Sequence, residues 1–190
     1  MTGTGEPPEV LPNYEKQARY ARAHERLKLA LEYGFFIEAA MICESIITDR
    51  LHSHLHWRIE VAQHCTMEDI VARLSQKSVF KKSPPQISLH KPSSLFILIM
   101  AVNLDFDDYS NESYCELPQR LDRWREGRNK IAHSITYTRP THKTYAEVFD
   151  EFMSLSEACA TEGKALTGHL SNWDRLVRRR HEKAAKPSGT

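Results

Sequence analysis

Apolar residues recur three and four positions apart along most of this chain of 190 residues, and no stretch alternates apolar and polar residues as a half-buried strand would. This spacing places the apolar residues on one face of a helix. The segments that carry the pattern are residues 14–33, 35–57, 66–77, 93–104, 117–135 and 144–177. Together they predict an all-α bundle of about five or six helices.

The length of the chain suits a single domain with one hydrophobic core. Glycine, proline and other small or polar residues are concentrated at both ends, which is typical of flexible termini. The predicted organisation is a flexible N-terminal segment over residues 1–13, one all-α domain over residues 14–180 and a flexible C-terminal tail over residues 181–190.

The charges of the chain nearly cancel, since 26 lysines and arginines face 25 acidic residues and leave a formal charge of +1. This balance creates no overall field that would attract nucleic acid or a membrane, so any such binding must come from a local patch. The longest apolar run, around residues 93–104, is about half of the roughly 20 residues that span a bilayer. We therefore expect no membrane association.

The cysteines of the chain are far apart and form no Cys-x-x-Cys pair. They are Cys43, Cys65, Cys115 and Cys159. The N-terminus also lacks the features of a signal peptide. We expect reduced thiols in a cytoplasmic protein.

The segment REGRNKIAHS, residues 125–134, places an arginine where the helical pattern requires an apolar residue. The apolar positions on either side are Leu117, Leu121, Trp124, Ile131 and Ile135, and Arg128 lies among them. A guanidinium cannot lose its proton in a protein, and removing it from water without a partner costs several kcal/mol. Arg128 therefore needs an anion, a crevice or a symmetry-related copy beside it.

The angular positions on this helix separate the arginine from the histidine that follows it. At about 100° per residue, Asn129 and His133 lie roughly 40° apart, whereas Arg128 and His133 lie roughly 140° apart. Either the helix ends and bends near Ala132, or two copies of the chain face each other and share one cleft. We favour a homodimer, which also explains Gly127 if a second backbone comes close.

A purely structural interpretation of the same residues is also open. Arg128 would then pair with Glu44, and His133 would interact with the negative end of the helix dipole. Glu44 lies at helical spacing among four apolar residues, namely Ile37, Met41, Leu51 and Leu55.

The letters RNKIAH resemble the signature of HEPN domains (higher eukaryotes and prokaryotes nucleotide-binding), in which an arginine and a polar residue precede a histidine. Asparagine, which this chain has at Asn129, is the commonest polar residue of that signature. EAAMICESIITDRLHSHL, residues 38–55, resembles the helix that carries an acidic residue opposite the motif in this family. LPQRLDRWREGRNKIAHS, residues 117–134, resembles the approach to the motif in prokaryotic members. The resemblance covers residues 22–152.

This resemblance implies a homodimeric, HEPN-like bundle that acts as a metal-independent endoribonuclease on single-stranded RNA or tRNA, without a cofactor. Such proteins are toxins or antiphage defence effectors, so an antitoxin or another defence protein is an expected partner. The implied catalytic residues are His133 as general acid and base, Arg128 as phosphate ligand and Asn129 as an orienting group. Glu44 would support Arg128.

Two features limit the resemblance. One toxin branch has a tyrosine two residues after the histidine, where this chain has Ile135 and places Tyr137 two residues further on. This argues against that branch. Some family members have lost catalysis, so the alternative is an inactive nucleotide- or protein-binding module that regulates a partner.

A basic cluster, RLVRRRHEK at residues 175–183, is the candidate surface for the RNA backbone, with Arg178, Arg179 and Arg180 as its ligands. The alternative is a solvated helix end. The segment HSHLHW, residues 52–57, suggests a metal site at first, but it lacks further ligands at dependable spacing. We expect no metal, and surface or interface histidines instead.

Overall fold

Six α-helices account for most of the chain that this computed structural model describes, which comprises residues 13–81, 85–88, 93–109, 114–134 and 143–185. They are α1 (Asn13–Glu32), α2 (Phe36–His56), α3 (Met67–Ser75), α4 (Leu95–Tyr109), α5 (Leu117–Ser134) and α6 (Tyr145–Ala185). A π-helical turn, Trp57–Val61, extends α2, and a short 3-10 turn, Ser78–Phe80, follows α3. These residues contain no strand, so the predicted all-α class and helix number are confirmed.

The first two helices form an antiparallel pair. Gly34 adopts a φ of +74°, a left-handed conformation that suits glycine, and it reverses the chain as its position after α1 predicts. Arg26 of α1 then donates to Glu38 of α2 at 2.6 Å, and the hydroxyl of Tyr20 donates to Asp49 further along α2. These contacts fix the register of the pair.

Two helices begin with reciprocal capping. The spacing of Thr66 and Asp69 predicts a capping box at the start of α3. The structure confirms it, since the hydroxyl of Thr66 accepts from the backbone of Asp69, whose carboxylate accepts from the backbone of Thr66. Thr144 and Glu147 form the same arrangement at the start of α6. Both boxes satisfy backbone N–H groups that the first helical turn leaves without partners.

The long helix α6 organises the bundle. It runs parallel to α2, since Gly163 lies against Cys43 and Asp174 contacts His54 eleven residues further along both helices. It runs antiparallel to α5, whose Trp124 donates its indole N–H to the carbonyl of Cys159 at 2.9 Å. Buried apolar residues from all six helices form one hydrophobic cluster.

The helix α6 extends to Ala185, so the expected start of the tail at residue 181 lies inside this helix. The rest of both expected flexible segments, residues 1–12 and 186–190, lies outside the described residues. No helix in the described ranges is both long and apolar enough to cross a membrane.

The close contact at Gly163 predicts that any larger side chain at this position destabilises the protein. A Cβ added there would lie 2.8 Å from the Trp124 indole nitrogen and 3.0 Å from the Cβ of Cys43. We expect Gly163→Ala to lower the free energy of unfolding by about 1–2 kcal/mol, because overpacking exceeds the roughly 1 kcal/mol gained in helix propensity. Urea denaturation measures the change.

Gly168→Ala is the matched control on the same helix. A Cβ at Gly168 would meet no atom within 4 Å, so this variant should gain stability, by up to about 1 kcal/mol. Equal urea midpoints for the two variants would contradict the close contact at Gly163.

Candidate functional site

The structure pairs Arg128 of α5 with Glu44 of α2, as both interpretations of the sequence require. Arg128 lies one helical turn beyond Trp124, and Glu44 follows Cys43, so the contact at Gly163 brings the two helices to the spacing at which the pair forms. The side chains are 19% and 21% exposed, respectively. The ion pair therefore lies at the boundary between the core and solvent.

The guanidinium of Arg128 has unused donor capacity. Burial lowers its pKa from the usual arginine value, although an arginine stays charged under ordinary conditions. Its Nε atom is buried and has no hydrogen-bond partner among the described residues. About a fifth of the side chain remains exposed, so an anion can approach the guanidinium from the solvent side.

The nearby thiols are poor nucleophiles. Burial raises the pKa of Cys159 to about 11, although the charge of Arg128 opposes this shift. Burial also raises the pKa of Cys43 to about 12. All four cysteines of the chain are free of disulfides.

Asn129 and His133 lie on another side of α5. Asn129 is half-buried and His133 is exposed, whereas Trp124 and Ile131 define the core face. Helix α5 continues past Ala132 to Ser134, so the bend that would bring Arg128 and His133 together does not occur there. One chain therefore leaves the two expected catalytic residues apart. Ile135 and Tyr137 lie outside the described residues.

An apolar surface adjoins the ion pair. Ile37 and Met41 lie seven and three positions before Glu44, on the same stripe of α2, and are 36% and 51% exposed. Phe149 and Leu155 of α6 are also exposed. Helical spacing placed Ile37 and Met41 among the apolar residues around Glu44, and the packing of the described residues leaves both of them exposed.

The groove between α5 and α6 is a further feature that the sequence did not reveal. It encloses about 440 Å³, and Trp124, Gly127 and Cys159 are among the residues that line it. Arg123 is exposed at its edge, and Arg120 donates to Glu162 across it at 2.9 Å. Among the described residues, a Cβ at Gly127 would meet no atom within 4 Å, so their packing does not require glycine there.

The arginines of the basic cluster of α6 differ in their contacts. Arg178 donates to both carboxylate oxygens of Asp174 at 3.0 Å and to the carbonyl of Ser53 at 3.3 Å, and it stacks over Trp57. It is thus engaged within the fold, and 30% of its side chain stays exposed. Arg179 and Arg180 are exposed. The cluster lies about 30 Å along α6 from Cys159, so the fold separates it from Arg128.

The histidines of α2 also differ from expectation. His54 is fully buried, and its Nδ1 lies 2.8 Å from a carboxylate oxygen of Asp174, so the expectation of a surface or interface position is wrong for this residue. His52 contacts the carbonyl of Ser88 at 3.3 Å. Within the described ranges, no group of three or more His, Cys, Asp or Glu residues has a metal-binding arrangement.

Comparisons of the chain with family models, with curated proteins and with solved structures find no match.

The Arg128–Glu44 pair predicts that loss of the Glu44 charge destabilises the protein more than loss of an exposed glutamate charge. We expect Glu44→Gln to lower the free energy of unfolding by about 1–2 kcal/mol, because it leaves a partly buried cation without its carboxylate. Glu157→Gln removes the same charge from an exposed position of α6 and should have little effect. Urea midpoints that coincide for the two variants would show that the pair adds no stability.

The contact between His54 and Asp174 predicts a dependence on pH. Burial alone would raise the pKa of Asp174, but hydrogen bonds from His54 and Arg178 outweigh it and hold the pKa below the usual 3.8. The contribution of this carboxylate to stability is therefore present above about pH 4 and is lost as the pH falls through the lower, folded-state pKa.

We expect Asp174→Asn to cost about 1–3 kcal/mol of unfolding free energy at pH 7 and much less near pH 2–3. Urea denaturation at several pH values measures the difference. Asp150→Asn, at an exposed position of α6, is the control. A deficit of Asp174→Asn that stays constant down to pH 2 would contradict the linkage.

Proposed function

We propose that this chain is a HEPN-type, metal-independent endoribonuclease that cleaves single-stranded RNA or tRNA at a site formed by two copies of the chain. The observation that carries the proposal is the Arg128–Glu44 pair, in which Arg128 is held in place and keeps about a fifth of its side chain exposed to solvent. A positioned cation with spare donors suits a phosphate that gains negative charge in a transition state.

The chemistry needs only RNA and protein side chains. The 2′-hydroxyl attacks the adjacent phosphorus and gives its proton to one His133, while the bond from phosphorus to the 5′-oxygen breaks. The leaving oxygen then takes a proton from this same imidazolium, which yields a 2′,3′-cyclic phosphate and a 5′-hydroxyl end. Arg128 binds the phosphate oxygens, and Asn129 orients the imidazole or the phosphate.

The proposed second copy of the chain would bring together two residues that lie on different sides of α5. Within one straight helix Arg128 and His133 lie roughly 140° apart, so a site that uses both requires a second chain. The exposed Ile37 and Met41 offer that chain an apolar contact beside the ion pair. Burial of such a surface is a common source of homodimer stability.

The biological role follows from the resemblance. We propose a cytoplasmic toxin or antiphage defence effector, controlled by an antitoxin or another defence-system protein. Arg179 and Arg180, about 30 Å along α6 from Cys159, would contact only RNA that extends well beyond the cleavage site.

One observation favours a second candidate function. Glu44 neutralises Arg128 within a single chain, which suits an inactive module that binds a nucleotide or a protein partner. The two candidates differ in whether any RNA is cut.

We expect the purified chain to cleave total RNA in the presence of a chelator, and Arg128→Ala or His133→Ala to reduce the rate by at least about 100-fold. Arg175→Ala and His56→Ala remove the same residue types from exposed positions and should retain activity. Circular dichroism and size-exclusion chromatography check fold and oligomeric state. Full activity in a pure His133→Ala sample would exclude the assigned chemistry.

The shared site predicts complementation. If Arg128 of one copy works with His133 of the other, a mixture of the two inactive variants forms heterodimers with one complete site. Random exchange should then restore about a quarter of the wild-type activity. A mixture that stays inactive after subunit exchange, verified by mass, would refute the shared site.

A wild-type chain that cuts no RNA but binds a nucleotide or protein tightly would support the inactive module.

A further inference from the structure

A second arginine in this fold is half-buried, but no carboxylate neutralises it. Arg120, Arg125, Arg128 and Arg178 each pair with an acidic side chain. Arg50 of α2 instead lies over the ring of Tyr20, with its Cζ 4.7 Å from the ring centroid. Its Nε is buried without a hydrogen-bond partner, and no ion pair within the described ranges includes it. A guanidinium in this situation favours a bound anion.

The carboxylates near Arg50 are already engaged. Asp49 accepts a hydrogen bond from Tyr20 and forms an ion pair with Lys16 at 3.3 Å. Asp174 is held by His54 at 2.8 Å and by Arg178 at 3.0 Å. Neither carboxylate forms an ion pair with Arg50, since the pairs they form are with Lys16, His54 and Arg178.

Arg50 faces a pocket of about 330 Å³ at the junction of α1, α2 and α6. The lining residues are Lys16, Gln17, Tyr20, Arg50, Ser53 and Asp174. The Tyr20 hydroxyl already donates to Asp49, and the four lining residues other than Tyr20 and Asp174 carry side chains that can donate hydrogen bonds to an anion, while Asp174 can accept one. The volume is at the lower end of the range for small-molecule sites.

We propose that this pocket binds the phosphate group of a small phosphate monoester that also carries free hydroxyls, such as a sugar phosphate. The fork of Arg50 and the ammonium of Lys16 match phosphate oxygens, and Ser53 and Gln17 supply neutral donors. A bare anion would be repelled by Asp174, whereas a sugar hydroxyl can donate to that carboxylate. A pocket of this volume, lined by three helices, suits a small ester better than a continuous RNA strand.

The pocket is separate from the candidate nuclease site, and the inference does not depend on the proposed function. Arg50 and Ser53 lie about 9–14 Å beyond Glu44 along α2 and roughly 120–180° around it. The two sites therefore occupy different faces of the same helix.

The test is an NMR titration of the full chain with ribose 5-phosphate, with ribose as the probe that lacks phosphate. We expect saturable shifts of the backbone amides of Gln17 and Ser53 with ribose 5-phosphate and none with ribose. Arg50→Gln should weaken binding at least about tenfold, because a charge-assisted hydrogen-bond pair is lost. Arg19→Gln removes the same charge from an exposed position of α1 and should bind as the wild type does.

Further measurements separate a loss of binding from a loss of folding and compare a second kind of phosphate. Because Arg50 packs on Tyr20, thermal unfolding checks that Arg50→Gln remains folded, and Lys16→Gln tests the pocket independently, with weaker binding expected. No saturable binding of ribose 5-phosphate, or unchanged binding by a folded Arg50→Gln, would overturn the proposal. Equal or tighter binding of the dinucleotide ApA through Arg50 would also overturn it, since the pocket would then recognise an RNA phosphodiester.

Discussion

The close contact of α2, α5 and α6 at Gly163 is the constraint on which the rest of the structure depends. Cys43 and Trp124 converge on this glycine, and the Trp124 indole is fixed by its hydrogen bond to Cys159. Because rigid helices meet there, their register is set for several turns in both directions. The residues that follow Cys43 and Trp124, including Glu44 and Arg128, are thereby brought together. The ion pair is a consequence of core packing.

The position of the Arg128–Glu44 pair explains why it has two plausible uses. A fully buried pair would be closed to ligands, and a fully exposed one would be weakened by water and salt. With about a fifth of each side chain exposed, the pair is held by packing and still accessible. Its role is then decided by what covers the neighbouring apolar residues, Ile37 and Met41. A second copy of the chain would complete a catalytic site, whereas another partner would use the same face for binding.

At the opposite end of the α2–α6 pair, the charged side chains are partnered differently. His54, Asp174 and Arg178 satisfy one another there, while Arg50 stacks on Tyr20 without a carboxylate of its own. Arg178, Arg179 and Arg180 looked equivalent in the sequence. Consecutive helical residues are about 100° apart, so they cannot share one surface, and Arg178 faces inward.

The sequence by itself determined the local features of this protein. Apolar spacing identified the helices, Gly34 marked the first reversal, and Thr66 with Asp69 marked the start of α3, because these signals act within a few residues. The sequence also showed that Arg128 needs a partner, and helical spacing identified Glu44 as a candidate.

Only the tertiary structure decided how far each polar side chain is buried and which neighbours it meets. His54 became a core residue, and Arg50 became a cation facing a pocket, although both come from the same polar stretch of α2. Their environments depend on α1 and α6, whose contacting residues are tens to more than a hundred positions away in the chain. Local spacing carries no information about which distant faces meet, because long-range packing sets that choice.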